Sequence, residues 1–76
     1  MKSAQTVCFE ILEEARRLSR SMKDVRHITL RVNPEVATAL HGAESEVLEE
    51  IESYLGAIDI TSDPTTHQAQ FDFAFV

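Results

Sequence analysis

A few side chains in this sequence have the chemistry to act as a nucleophile or as metal ligands. Cys8 follows an apolar position of an amphipathic segment by one residue, so we predict a buried packing residue rather than a nucleophile. Asp63 and His67 share a polar stretch, flanked at a distance by Asp59 and Asp72. Their spacing differs from that of known zinc sites, which favours a polar turn. We therefore predict no catalytic, cofactor-binding or metal-binding residue in this chain.

Charge is distributed unevenly along the chain. All seven Lys and Arg residues precede position 32, so that part carries a net charge of +3 and the remainder −9. The total of −6 disfavours binding of a phosphate backbone by this chain alone. We predict an interface between a basic and an acidic cluster, within the domain or across a subunit boundary. The candidate interface residues are Arg16, Arg17, Arg20 and Lys23 in the basic cluster and Glu46, Glu49 and Glu50 in the acidic cluster.

Each cluster has an alternative interpretation. The glutamates lie on the polar side of an amphipathic segment, where a solvated helix face is the simplest explanation. The basic cluster could contact RNA, but it has no interleaved aromatic residues and no glycine-rich phosphate loop. Dipole compensation and solubility would also explain bases at the end of a helix.

Hydrophobic spacing predicts the elements that carry these residues. In order they are a helix over 3–22, a strand over 25–32, helices over 33–42 and 43–55, and strands over 57–61 and 70–76. Asn33 and Pro34 form the cap and first position of the second helix. Gly42 is predicted to end that helix in a left-handed cap, and Gly56 ends the next helix.

The order α-β-α-α-β-β predicts an α/β fold with a three-stranded mixed sheet. The first two strands should be parallel because two helices connect them, and the last strand should run antiparallel to its neighbour. The helices should pack on the apolar sheet face. We place four aromatic residues in this core: Phe9, Phe71, Phe73 and Phe75. The opposite, polar sheet face carries His27, Thr29, Arg31, Asp59, Thr61 and Asp72.

The length and composition set further limits. A chain of 76 residues forms one domain at most and buries only about 60% of its unfolded surface. No apolar run approaches the ~20 residues of a membrane span, and the N-terminus shows no signal-peptide pattern. One cysteine permits no internal disulfide, which suits a reducing compartment. We expect a cytoplasmic protein without membrane partners.

Three stretches, in this order and spacing, resemble the E/G family of bacterial ribonucleases, and its G type most closely. Residues 5–17, QTVCFEILEEARR, resemble the helix that follows the zinc-binding link of that family. Residues 32–40, VNPEVATAL, continuing to Gly56, resemble the helical part of its small C-terminal domain. Residues 68–76, QAQFDFAFV, resemble the strand at which the catalytic chain finishes.

The resemblance implies that residues 1–76 are the thioredoxin-like C-terminal small domain of a larger, single-strand-specific endoribonuclease in RNA processing and decay. In that family, magnesium is bound by aspartates of an upstream subdomain and zinc by a cysteine pair in the link. Neither motif occurs in this sequence, so both metals are expected only in the parent enzyme. The family's small domain is associated with packing between subunits. The implied partners are therefore other domains and subunits of the parent, including further copies, while RNA is bound mainly elsewhere.

The sequence also departs from the family, and other functions are open. Ala69 stands where the family often has Glu, and a single thiol supports no redox role. The main alternative is a free-standing adaptor or ligand-binding domain that uses the polar sheet face. The weakest alternative is an independent enzyme that uses the loop from Asp63 to His67.

Overall fold

The computed structural model describes residues 3–21 and 27–75. Within these ranges the elements are α1 (Ala4–Ser19), β1 (Ile28–Val32), α2 (Pro34–His41), α3 (Ser45–Leu55), β2 (Asp59–Ser62) and β3 (Phe71–Phe75). The order confirms the predicted α-β-α-α-β-β fold class. Met22, Val25, Arg26 and Val76, which the sequence prediction included in these elements, lie outside the described residues.

Helix α1 begins at a capping residue and buries one side. The Ser3 hydroxyl accepts a hydrogen bond from the Thr6 amide at 3.2 Å, which satisfies one of the free amides of the first turn. Arg16 and Arg17 lie in the last turn, where positive charge complements the helix dipole. The inward side consists of apolar residues at helical spacing: Val7, Cys8, Ile11, Leu12 and Ala15.

The ends of α2 and α3 confirm the predicted cap and correct one glycine. The Asn33 side chain accepts a hydrogen bond from the Glu35 amide at 2.9 Å, and Pro34 occupies the first turn. The left-handed cap predicted at Gly42 is wrong, because φ there is −132°. Glycine suits this position because an added Cβ would lie 3.2 Å from the Thr38 carbonyl oxygen. Gly56 does adopt positive φ, at 82°.

The described strands form a mixed sheet in the order β2-β1-β3. β1 pairs with β2 in parallel, with Thr29 opposite Asp59. β1 pairs with β3 in antiparallel fashion, with Leu30 opposite Phe73. Both predicted strand directions are confirmed. The central position of β1 means that β3 and β2 are edge strands.

The core lies between the helices and β1, and two of the four predicted core phenylalanines are outside it. Leu30, Val32 and the inward residues of the helices form one buried cluster, with Phe71 and Phe73 packed against it. Phe9 is 47% exposed and Phe75 is 43% exposed. Phe9 is not part of the buried stripe of α1, which includes Cys8 and Ile11 on either side of it in sequence. Its side chain therefore lies on the outward side of the helix. Phe75 lies at the end of an edge strand, beyond the cover of the helices.

Candidate functional site

Arg16 is the member of the basic cluster that the fold brings to the acidic cluster. Its Nη2 lies 3.6 Å from Oε2 of Glu50, so the contact joins α1 to α3 within one chain. The guanidinium also lies over the Tyr54 ring, 5.7 Å from the centroid, and donates to Glu13 at 2.6 Å. Interaction with Tyr54, followed by the charges of Glu13 and Glu50, raises the pKa of Arg16. The side chain is therefore held as a cation between the two helices.

The other members of the two clusters remain apart. Arg17 forms a two-pronged contact with Glu14 on its own helix, and this carboxylate raises the pKa of Arg17. Arg20 is exposed and forms no ion pair with any residue that the structure describes. Glu46 and Glu49 are exposed on α3. Lys23 lies outside the described residues. An interface with another chain through these clusters stays a prediction.

The polar sheet face contains two side-chain contacts that join the β1 region to the β2 side of the sheet. Nε2 of His27 lies 2.8 Å from Oδ2 of Asp59 on β2. Nε of Arg31 lies 3.8 Å from Oδ2 of Asp63, just beyond the end of β2. The side chains of Arg31 and Asp59 are mostly exposed, as predicted for this face. The face is therefore an open charged surface rather than an enclosed ligand site.

The loop after β2 is a hydrogen-bonded turn. Oδ1 of Asp63 accepts from the Thr65 amide at 2.9 Å and from the Thr65 hydroxyl at 2.7 Å. These two bonds, aided by Arg31, lower the pKa of Asp63. The Asn33 side chain donates to the Thr66 carbonyl at 2.9 Å, which ties the loop to the start of α2. The carboxylate thus has a structural role, as the polar-turn interpretation predicts.

His67 and Cys8 are used locally or buried. Nδ1 of His67 accepts a hydrogen bond from the Ala69 amide at 3.0 Å, so this imidazole stabilises the turn before β3. Cys8 is 0% exposed, which confirms the packing role. Burial, followed by the charge of Glu44, raises the pKa of the Cys8 thiol to about 11. At neutral pH the thiol is therefore protonated and poorly nucleophilic.

The arrangement of donors does not fit a metal ion. In residues 3–21 and 27–75, no three His, Cys, Asp or Glu side chains converge closely enough to hold one. Structural zinc sites in particular use four protein ligands, mostly Cys and His, and the single thiol of this chain lies in an apolar core. The magnesium and zinc implied for a parent enzyme thus have no matching ligand set among these residues.

Two features of the surface were missed by sequence reasoning. One is Tyr54, which contacts Arg16. Its position four residues after Glu50, on the same side of α3, was the sequence feature that indicates this contact. The other is Phe9, an exposed aromatic residue beside the basic cluster. Its position outside the apolar stripe of α1 was the sequence feature that indicates its exposure. Among the described residues, no helix combines the length and the hydropathy needed to cross a bilayer.

The fold and this surface define a small α/β domain, and comparison with known proteins relates it to part of a longer protein. No protein-family model matches the chain. It is 36% identical over 73 residues to Ribonuclease G of Salmonella typhimurium (strain SL1344). The identity is also 36% to Ribonuclease G of Escherichia coli (strain K12) and of Shigella flexneri. Each match covers 95% of this chain but only 15% of the relative's length.

Proposed function

We propose that this chain is a non-catalytic accessory domain, the C-terminal small domain of a larger bacterial endoribonuclease of the E/G type. The parent would be a cytoplasmic hydrolase that acts on single-stranded RNA in processing and decay. The observation that carries the proposal is the match to Ribonuclease G, which spans 95% of this chain and 15% of that enzyme. A match of this extent suits one domain of a longer protein.

The described side chains support the non-catalytic role. A hydrolytic site needs a nucleophile or activated water, a base and a group that orients it. Here the thiol is buried, while Asp63 and His67 each accept hydrogen bonds from the backbone of their own loop. We propose that magnesium and zinc are bound by other parts of the parent enzyme.

The exposed charges support a role in assembly. Arg17 and Glu13 have side-chain exposures of 72% and 69%, so both are accessible to another domain or subunit. Charged surfaces of this kind orient an association more than they strengthen it. We propose other domains and subunits of the parent as the partners, with RNA bound mainly by the rest of the enzyme.

A segment exchange tests the proposal. Ribonuclease G of Escherichia coli would be prepared with its matched 73-residue segment deleted, or replaced by the present chain. We expect the deletion to lose most RNA cleavage. The replacement should recover at least about a tenth of the wild-type rate, which corresponds to an activation barrier raised by no more than about 1.4 kcal/mol. The isolated chain should cleave no single-stranded RNA with magnesium present.

Two results would contradict the proposal. One is a replaced enzyme that is folded but as inactive as the deletion. The other is RNA cleavage by the isolated chain that disappears on substitution of a residue such as His67. A replacement that carries Leu30→Ala is the control for an unfolded segment, because loss of this fully buried side chain should destabilise the domain and lower RNA cleavage toward that of the deletion.

The second candidate is an adaptor domain that uses the polar sheet face. The exposed side chains of His27, Asp59 and Arg31 favour it, because an open polar sheet face can dock a partner. Reversing Arg31 to Glu in the replaced ribonuclease separates the candidates. The accessory-domain proposal expects unchanged RNA cleavage, whereas a loss of cleavage in a folded enzyme would favour docking through this face.

A further inference from the structure

The outer side of β3 is an unpaired sheet edge. β3 is bonded to β1 on one side, and no strand among the described residues pairs with its other side. Apolar sheet edges invite pairing with another chain, and proteins usually protect them with Lys, Pro or a bulge. β3 has the sequence FDFAF, without Lys or Pro, and its pairing with β1 is continuous from Phe71 to Phe75. The edge is therefore open to a further strand.

The backbone groups of three phenylalanines point to this edge. The Asp63 amide donates to the Val32 carbonyl at 2.8 Å, so the backbone of Val32 faces β2. Backbone direction alternates along a strand, so the neighbouring Arg31 faces β3 and forms a hydrogen-bonded pair with Asp72. The amides and carbonyls that remain for a further strand are therefore those of the alternate residues Phe71, Phe73 and Phe75.

The start of β3 lies between two open depressions of the surface. Ala69 and Phe71 line both of them. On the helix side the other lining residues belong to α1, whereas on the polar face they include Arg31 and Asp72. Side chains of an added strand alternate between the two sheet faces, so each depression would receive one set of them. Pockets for alternate side chains are what give a strand-binding edge its sequence preference.

The chemistry on each face indicates which partner fits. On the helix side, the rings of Phe71 and Phe73 are only partly buried, which favours apolar side chains. On the polar face, Asp72 is exposed and forms no ion pair with a described residue, while Arg31 contacts Asp63. A basic side chain opposite Asp72 would complete a cross-strand pair. The net charge of −6 also attracts a basic segment and repels a second copy of the chain.

The other edge strand, β2, is less suited to this role. It has four residues, of which only Ile60 is apolar. Its exposed carboxylate, Asp59, already lies 2.8 Å from His27. The β2 edge therefore provides an internal control for the β3 edge.

We infer that the free edge of β3 binds an extended segment of a different polypeptide, added antiparallel to β3. Its apolar side chains lie opposite the three phenylalanines, and a Lys or Arg between them lies opposite Asp72. The antiparallel direction gives hydrogen bonds perpendicular to the strands and the more stable pairing. The inference rests on the proposed assembly role and deepens it by naming the surface and the chemistry of the partner.

Amide exchange tests the arrangement of the edge. In the free chain the amides of Asp72 and Ala74 should exchange at least about tenfold more slowly than those of Phe71 and Phe73, because only the former are bonded to β1. The probe is a short capped peptide with Val at three alternate positions, Lys between two of them and Thr elsewhere. It should slow exchange at Phe71 and Phe73, measured by NMR of the nitrogen-labelled chain.

Titration of the same peptide gives its affinity. A single added strand makes a small interface, so we expect a dissociation constant on the order of 100 µM. Asp72→Lys should weaken binding at least about fivefold, because an attractive contact becomes repulsive. Asp59→Lys, the matched control, changes the net charge equally on the β2 edge and should keep the affinity within about twofold. Circular dichroism checks that both variants are folded.

A compensating change in the peptide separates a direct contact from a general effect of charge. With Glu in place of Lys, the peptide should bind Asp72→Lys at least about fivefold more tightly than it binds the wild-type chain. The Asp59→Lys variant should not show this preference. Damage to the fold would weaken both peptides alike, so the reversed order reports the contact at position 72.

Backbone methylation of the peptide tests the hydrogen bonds. In the antiparallel arrangement the amide of the central Val faces Phe73, whereas the Lys amide faces away from β3. A methyl group on the Val nitrogen should weaken binding at least about tenfold, and the same group on the Lys nitrogen should leave it within about threefold.

Three results would overturn the inference. The first is no binding of the peptide at about 1 mM, ten times the expected dissociation constant. The second is equal sensitivity to the two charge reversals or to the two methyl groups. The third is slow exchange at Phe71 and Phe73 that depends on chain concentration without peptide, which would assign the edge to a second copy.

The experiment also separates this inference from the proposed function. It involves no RNA, so its failure leaves the segment-exchange result unaffected. Peptide binding together with a failed segment exchange would instead show a peptide-binding domain without a ribonuclease role.

Discussion

β1 and β3 are hydrogen-bonded neighbours, yet one is buried and the other is half open. On the inward face of β1, Leu30 and Val32 are 0% exposed and Ile28 is 3% exposed. On the same face of β3, Phe71 and Phe73 are partly buried and Phe75 is 43% exposed. The phenylalanines are at least as apolar as the aliphatic residues. Burial is therefore set by position in the sheet, because the central strand lies under the helices and the edge strand extends beyond them.

Replacing Leu30 with alanine should have the largest effect on stability. The side chain is fully buried in the main cluster, so its removal loses apolar burial and leaves a cavity. We expect a loss of about 3–5 kcal/mol in the free energy of unfolding. That is comparable to the whole stability of so small a domain. Urea unfolding followed by circular dichroism would measure it.

Leu30→Val provides the control for a variant that fails to fold. It removes a single methylene-sized volume and should cost about 1 kcal/mol, which a small domain can tolerate. If both variants unfold at nearly the wild-type urea concentration, the assignment of β1 to the centre of the core is wrong.

Phe73→Ala should cost less than Leu30→Ala, although the phenyl ring is the larger group. Phe73 lies directly opposite Leu30 but is only partly buried, and part of its ring contact is with Phe71, at 6.0 Å between centroids. We expect about 2–3 kcal/mol, below the 3–5 kcal/mol typical of fully buried phenylalanine. The same urea experiment checks the order. A larger loss than for Leu30→Ala would mean that β3 is as well covered as β1.

Cys8 and Phe9 show the same contrast between a buried and an exposed side chain within one helix, because Cys8 is 0% exposed and Phe9 is 47% exposed. Cys8 faces the core, and its thiol pKa is raised to about 11 from the 9.0 of a free thiol. The unfolded chain therefore loses this proton before the folded chain does. The resulting stability is fully present below pH 9 and is lost as pH rises from about 9 to about 11, by at most about 3 kcal/mol.

Unfolding of wild type and Cys8→Ala across this pH range would measure the effect. The difference in their stability should shrink as pH rises, while other groups that titrate there are common to both proteins. A difference independent of pH would show that the thiol is accessible to solvent in the folded chain.

The fold was largely predictable from local patterns. Alternation of Ile28, Leu30 and Val32 defines a strand with one buried face, and Asn33-Pro34 identifies the start of a helix, because both signals are local. The exposure of Phe75 was not predictable in the same way. It depends on which strand becomes the edge, and strand order is set by packing between distant segments.

The candidate surface was predictable only as a pair of clusters. Opposite charges at 16–23 and 46–50 indicated contact between two helices, and Arg16 with Glu50 makes one such contact. The sequence does not select Arg16 from its neighbours, since the choice depends on the rotation of α1 against α3. Gly42 shows the same limit, because the close approach of the Thr38 carbonyl, rather than a left-handed backbone, favours glycine there.

Phe75→Ala should have the smallest effect on stability. Phe75 lies opposite Ile28 in the register, yet Ile28 is 3% exposed and Phe75 is 43% exposed. Its ring stacks on Phe73, with centroids 6.3 Å apart and an angle of 13° between planes, so some contact is lost. We expect a cost of about 0.5–1 kcal/mol, against about 2–4 kcal/mol for Ile28→Ala across the strand pair. Parallel urea titrations of both variants measure the contrast. Equal costs would mean that Phe75 is covered in solution, either by the helices or by a second chain, and dilution would distinguish these because only a second chain dissociates.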